Sequence, residues 1–288
     1  VADVEIGILG GTGLYEASEL EGAREIHLET PFGPPSGAYV TGTLRGRKVA
    51  FLARHGRGHV LSPTEINFRA NVYGFKLLGA GRILSASAVG SLREEIHPMD
   101  VVLPDQFFDR TRQRPQTFFG GGVVAHVSLA DPTCAVVREA LANGCAAAGA
   151  RTHRGGTYLC IEGPQFSTRA ESEFFRRAVD ASVIGMTNLP EARLAREAEI
   201  CYGTIALVTD YDCWHATEEP VTVEALLGYL KRNAATARKV IAAAVEAMPQ
   251  VRDCPCATAL DSAIITDPAR VGPEARARLR AILGARLP

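Results

Sequence analysis

Residues 200–214, ICYGTIALVTDYDCW, decide how this chain is read. The run 202–208 is apolar and β-branched enough for a buried strand, and it stops abruptly at Thr209, Asp210, Tyr211 and Asp212. In open α/β sheets ligands gather at the carboxyl ends of strands, so two acids there, with Tyr211 between them and Trp214 beyond, point to a site. A planar, nitrogen-rich ligand suits it. An acid kept protonated by partial burial can donate to a ring nitrogen, while an ionised neighbour accepts from an exocyclic amine. That pattern describes adenine better than guanine. The plain alternative is a strand running into a solvated acidic turn.

Working outward, the 288 residues carry 47% hydrophobic and 22% charged residues, enough for a sizeable core in one large α/β domain or two small ones. The net charge of −1 gives no global bias towards nucleic acid or an anionic membrane. The opening VADVEIGILGG has acids where a signal peptide needs bases, and no apolar run reaches the roughly 18 residues of a membrane span, so a cytoplasmic protein is expected. Seven cysteines include no paired C-x-x-C elements, so no metal is expected. Cys254-Pro-Cys256 reads as two thiols in a Pro-containing loop, with disulfides plausible only in a hyperthermophile's chain.

From the start of the chain, 4–9 reads as a first buried strand running into Gly10-Gly11-Thr12-Gly13. Glycines let backbone N–H groups approach an anion, and the Thr12 hydroxyl adds a donor. It is neither a P-loop nor a full dinucleotide fingerprint, and a turn without a ligand competes equally. After a Pro/Gly loop, 38–44 and 48–53 form a hairpin whose second strand delivers Arg54-His55-Gly-Arg57-Gly-His59, a second anion-binding wall. Gly56 and Gly58 argue against the helix that a His55–His59 metal pair would need. Ser62-Pro-Thr-Glu65 reads as a capped start of a helix running to Leu78. The strand 82–88 ends in Ser87, Ala88 and Gly90, a third strand end able to hand hydroxyls and amides to an anion.

The segment 100–103 continues the sheet, 105–122 is a long polar excursion, 123–127 is a short strand carrying His126, and 132–148 is helical. The strand 157–161 precedes Phe166, which could stack on a ring or sugar, and Ser167, a small polar contact; 170–179 is an amphipathic helix. After the strand 182–185, Asn188 with Glu191 marks a helix start, placing Thr187 where free amides favour an anion, while Met186 packs on a ligand or fills core. A long helix over 223–248 and a basic helix over 273–283 close the chain. No repeat or linker divides it, so one domain is expected.

Taken together, GGTG, FLARHGRGH, SPTEINFRAN, AVGSLREE, DQFFDRT, IEGPQFSTRAE, MTNLPEA and TDYDCW, in this order, make the chain similar to the methylthioadenosine phosphorylase branch of the trimeric purine nucleoside phosphorylase family. The resemblance spans Gly7 to about Val245. It implies a single α/β domain with a mixed β-sheet flanked by helices. The implied reaction is phosphorolysis of 5'-methylthioadenosine to adenine and 5-methylthioribose 1-phosphate, with inorganic phosphate as co-substrate and neither metal nor organic cofactor. Carried over by position, Thr12, Arg54, His55, Ser87, Ala88 and Thr187 would hold phosphate, and Met186 would pack on the ribose. Phe166, Ser167, Asp210 and Asp212 would surround the base, with Asp210 as general acid towards N7. Val223 would border an apolar 5' pocket, and His126 would reach a neighbouring subunit's site in a homotrimer or dimer of trimers. Ser87 stands where animal members carry threonine, and Asn188 and Val89 where they carry threonine and cysteine.

Three other readings compete. A phosphorylase of adenosine or of 6-oxopurine nucleosides is the nearest, although the latter calls for an amide and a longer acid around the base. A hydrolase leaves the anion wall without a ligand. A nucleotide-binding regulatory module predicts binding without turnover.

Overall fold

The computed structural model describes residues 3–11, 14, 20–215 and 223–286. Eleven strands form one sheet: β1 (Ile6–Gly10), β2 (Glu21–Ile26), β3 (Tyr39–Leu44), β4 (Arg47–Ala53), β5 (Arg82–Ser91), β6 (Val101–Leu103), β7 (Gln106–Arg110), β8 (Thr152–Arg154), β9 (Thr157–Ile161), β10 (Val183–Gly185) and β11 (Cys201–Asp210). The helices are α1 (Phe68–Leu77), α2 (Ala135–Ala147), α3 (Arg169–Arg177), α4 (Asn188–Glu197), α5 (Val223–Ala247) and α6 (Pro273–Leu283). The sheet is mixed, and the chain is a single-domain α/β protein as expected.

β5 is the axis of the sheet. Along one edge it pairs in parallel with β11 from Arg82 to Gly90, with a register shift between Val208 and Asp210. Along the other edge β1 pairs only as far as Ser85, and β10, antiparallel, joins only at Gly90. Among the described residues, positions 86–89 therefore have no strand on that side, and the sheet has a gap in its middle. From β1 the sheet continues through β4, β3 and β2; from β10 through β9 and β7.

Side chains alternate between two apolar layers, as the two-residue period of a strand requires. Tyr202, Ala206 and Val208 of β11 enter the layer that includes Phe75, Leu194 and Leu279 of α1, α4 and α6. Cys201, Ile205 and Leu207 enter the layer of Val137, Leu141, Val240 and Ile241 from α2 and α5. Helices on both faces explain why β11 is buried up to Thr209, with Asp210 half-buried, and reads as a continuous apolar run before its polar end. No helix among the described residues is long and apolar enough to cross a membrane.

Several expectations need correcting. The helix foreseen at Ser62 begins at Phe68, because the Glu65 carboxylate closes a turn on the Ser62 amide and hydroxyl (2.9 and 2.6 Å) and Asn67 caps the helix by accepting from the Ala70 amide. Segment 123–127 is no strand; Ala125 makes one isolated bridge to Ile264. β2, β7 and β8 were not foreseen. β7 lies within the supposed polar excursion, and its exposed residues alternate with half-buried ones, as on a sheet margin. The four-cysteine arrangement was also unforeseen: Cys134, Cys201, Cys254 and Cys256 come together although no C-x-x-C pair exists. All seven thiols are unbonded.

α2 and α5 approach so closely that a Cβ on Gly144 would lie 2.3 Å from the Val240 carbonyl oxygen. Gly144→Ala is expected to force the helices apart and lower the unfolding free energy by about 1–3 kcal/mol, measurable by urea denaturation.

Candidate active site

A cavity of about 350 Å³ opens over the gap in the sheet. Its wall combines Gly11 after β1, Arg54 and His55 after β4, Ala86 to Gly90 of β5, Met186 and Thr187 after β10, and Asp210 and Asp212 at the end of β11. Segments far apart in sequence meet here because their strands all end at this point of the sheet.

Arg54 is 1% exposed and is held by groups from three elements, β1, β5 and α4. Its Nε donates to Glu191 Oε1, and Nη2 donates to Glu191 Oε2 (3.1 Å), Ser85 Oγ (2.7 Å) and the Leu9 carbonyl (3.3 Å). Nη1 donates to the Ala86 carbonyl (3.0 Å). A guanidinium has five N–H bonds, so among the described residues one Nη1 hydrogen has no partner and can meet a ligand. Burial opposes the charge of Arg54, but Glu191 outweighs it and raises the pKa. Glu191 also accepts from Tyr202 Oη (2.9 Å), whose hydroxyl takes a hydrogen bond from Asn188.

His55 is nearly buried and stacks on His59 with ring centroids 4.2 Å apart. Burial, reinforced by the Arg54 charge, pushes its pKa down to about 4, so it is neutral at neutral pH. The Leu61 carbonyl 2.8 Å from Nδ1 can only accept, which assigns the proton to Nδ1 and leaves Nε2 as an acceptor. Ser87 Oγ lies 3.2 Å from Thr187 Oγ1 and 3.0 Å from Tyr158 Oη. Thr187 precedes α4 without capping it through its side chain. Leu189 keeps extended angles (φ −120°, ψ 132°), as a residue before proline does, so regular helix follows Leu189 rather than starting at Asn188. Thr187 thus meets the cavity through its hydroxyl at a kinked entry, and Glu191 falls in the first regular turn.

At the other end, the irregular register at Thr209 brings Asp210 opposite Gly90. Thr209 donates to Asp210 Oδ2 (2.6 Å), and the Asp212 amide donates to Oδ1 (2.8 Å). Burial raises the pKa of Asp210, and the charge of Asp212 adds to it. Burial raises Asp212 as well, partly offset by the nearby Ser172 hydroxyl. A Cβ on Gly90 would lie 2.9 Å from Asp210 Oδ1 and 3.3 Å from Asp212 Cβ, so the acids rest against a bare stretch of β5. Phe166, 61% exposed, lines the cavity. Arg114 donates to the Met186 carbonyl (2.7 Å) and fixes that backbone.

The cavity thus gathers Arg54, His55, Ser87, Ala88, Phe166, Met186, Thr187, Asp210 and Asp212. Ser167 sits just outside its lining; its carbonyl accepts from the Cys213 thiol (3.3 Å). His126 is exposed and away from this cavity, its amide bonded to the Ala263 carbonyl (2.8 Å). Thr12 and the side chain of Val223 lie outside the described residues. Asn188 does not line the cavity; it is a buried strut between Tyr202 and Ser85. Sequence reasoning missed Glu191 as the partner of Arg54, having read it only as a helix marker. It also missed Asn233, a buried cavity residue whose Nδ2 donates to the Val208 carbonyl (3.1 Å); an amide on the apolar stripe of α5 was the available signal.

Across residues 5–246 the chain matches the model of the phosphorylase superfamily, and it belongs to that family. It is 57% identical to the S-methyl-5'-thioadenosine phosphorylase of Geobacter sulfurreducens, over 97% of this chain and 98% of that one. It is 55% identical to the protein of that name from Koribacter versatilis, over 97% and 96%. Among solved structures, a methylthioadenosine phosphorylase from an antarctic soil metagenomic library superposes with a TM-score of 0.93 at 48% identity, covering 98% of this chain and all of that one. The Schistosoma mansoni methylthioadenosine phosphorylase in complex with adenine gives a TM-score of 0.79 at 34% identity, over 86% and 93%.

Glu191→Gln keeps the shape but removes the charge facing Arg54. The expected result is a loss of about 3–5 kcal/mol of stability and a KM for phosphate raised roughly ten- to a hundredfold. Denaturation and phosphate-saturation kinetics read the two effects separately.

Proposed function

We infer that this protein cleaves the N-glycosidic bond of 5'-methylthioadenosine with inorganic phosphate, releasing adenine and 5-methylthioribose 1-phosphate. The observation that carries the reading is one cavity holding a hydrogen-bonding anion cradle (Arg54, Ser87, Thr187) at one end and, at the other, two half-buried carboxyls (Asp210, Asp212) whose pKa values are pushed up by desolvation. The relatives named above make this the reaction to expect of such a cavity.

In this mechanism phosphate binds to Arg54 Nη1, the Ser87 and Thr187 hydroxyls and the β5 backbone near Ala88; the resemblance adds Thr12, which lies outside the described residues. Neutral His55 accepts a hydrogen bond through Nε2 from the P–OH of the monoprotonated phosphate dianion, with no proton transferred. As the bond to the purine breaks, positive charge grows at the anomeric carbon. The anchored phosphate stabilises that charge and then attacks, so its fixed position serves both steps. The departing base needs a proton or a hydrogen bond at N7. Asp210, held towards its neutral form by burial, supplies it, and Asp212 with Ser167 accepts from the exocyclic amine. Phe166 and Met186 cover the base and ribose; the resemblance adds Val223 at the 5' thioether, a side chain outside the described residues. His126, exposed on its own chain, fits a contribution across a subunit boundary in a homotrimer.

A 6-oxopurine nucleoside fits less well, because its base offers no exocyclic amine at position 6 for Asp212. Adenine release from methylthioadenosine is expected to require added phosphate, and inosine to turn over at least about tenfold more slowly. Equal release in phosphate-free buffer would make the protein a hydrolase. Asp210→Asn is expected to lower kcat about a hundredfold or more with phosphate KM little changed; equal losses in both would remove Asp210 from the role of acid.

A further inference from the structure

Four thiols from three distant parts of the chain meet at the end of the sheet opposite the cavity. Cys134 caps the N-terminus of α2, Cys201 opens β11, and Cys254 and Cys256 flank Pro255 in the loop after α5. Their Sγ atoms all lie within 4.8 Å of one another. Cys134, Cys201 and Cys256 are buried, and Cys254 is half-buried. We propose that these four cysteines form a structural tetrathiolate site for Zn²⁺.

A tetrahedral ion with Zn–S bonds of about 2.3 Å needs its sulfurs about 3.8 Å apart, a separation that small rotamer changes supply from the observed packing. Two disulfide bridges would need closeness only within each pair. The convergence of all four sulfurs on one point is what a single central ion requires. None of the four is bonded to another; Cys201 and Cys254 have their sulfurs 3.1 Å apart.

The backbones of the ligands are anchored in advance. The Cys134 amide donates to the Tyr202 carbonyl (2.8 Å), the Cys201 amide to the Gly81 carbonyl (3.0 Å), and the Cys254 carbonyl accepts from Ala257 (3.1 Å). The charge of a tetrathiolate also has a counterpart. Cys134 stands at the positive end of a 13-residue helix. Two arginines brace the segments that carry the thiols: Arg82, the register partner of Cys201, binds the carbonyls of Pro249 and Val251, and Arg252, two residues before Cys254, binds those of Gly81 and Glu199. Binding would displace thiol protons to solvent and moves no electrons.

Such an ion would tie the C-terminal segment, which brings Leu260, Val271 and Leu279 into the core, to the start of β11. Cys201 and Asp210 are at opposite ends of that strand, about 30 Å apart at 3.3 Å per residue. The ion therefore plays no part in bond breaking, and the proposal stands whether or not the substrate assignment does.

The test is the metal content of the full chain, purified under reducing conditions without chelator from zinc-supplemented cells, with intact mass measured after alkylation under denaturing, non-reducing conditions. The expected result is about one zinc per chain, four cysteines slow to alkylate until an organomercurial releases the metal, and no hydrogen lost to disulfides. Cys254→Ser/Cys256→Ser is expected to lose the zinc and melt lower while keeping kcat/KM for nucleoside. Zinc-free protein with all thiols reduced, or a mass two hydrogens light for each bridge formed, would overturn the proposal.

Discussion

The ion pair between Arg54 and Glu191 is the interaction on which the centre of the molecule depends. It lies almost entirely out of water, where two charges cost several kcal/mol each unless every polar atom is satisfied. Here they are met by Leu9 of β1, Ser85 and Ala86 of β5 and Tyr202 of β11, with Asn188 behind Tyr202. The pair therefore acts as a tie across three strands and α4, and it leaves the guanidinium one fixed direction in which to meet a ligand.

That tie is needed because the sheet is open at the same place. β1 parts from β5 at Ser85 and β10 joins it at Gly90, so among the described residues the backbone between them lacks a neighbouring strand on that edge, while β11 pairs along the other. An unpaired strand edge in a core is unfavourable, and here a charged side chain fills part of it through the Ala86 carbonyl. The rest opens to the cavity. One break in the strand pairing thus accounts for the place of the site, the small residues along Ala86 to Gly90 and the buried charge beside them.

What was legible in the sequence follows from this construction. β11, β9 and α6 were readable because burial on both faces, or a proline at the first turn, writes a local pattern. The anion cradle was readable because glycines, hydroxyls and cations cluster where strands end. β2 and β7 were not, because their exposed polar residues mimic loops and only their long-range partners make them strands. Ser62 and Glu65 misled because the same two side chains close either a helix or a lone turn, and Asn67 decides between them from its contact with the Phe32 carbonyl. Glu191 and the four cysteines show the deeper limit. Their meaning lies in a partner more than a hundred residues away for Glu191, and in three separate segments for the thiols.

The charges along the cavity also explain why its two ends belong together. Arg54 is already neutralised by Glu191, and His55 is kept uncharged by its surroundings, so the cradle holds little net positive charge. A phosphate dianion arriving there would be held chiefly by directed hydrogen bonds, and much of its own field would remain. That field reaches Asp210 through a partly buried, low-dielectric space and disfavours a second negative charge. Filling the phosphate subsite would therefore raise the pKa of Asp210 further and keep the proposed acid in its protonated form when the base must leave. On this account the incompletely neutralised anion is what couples the nucleophile to the acid, and a more cationic cradle would bind phosphate better while weakening the proton donor.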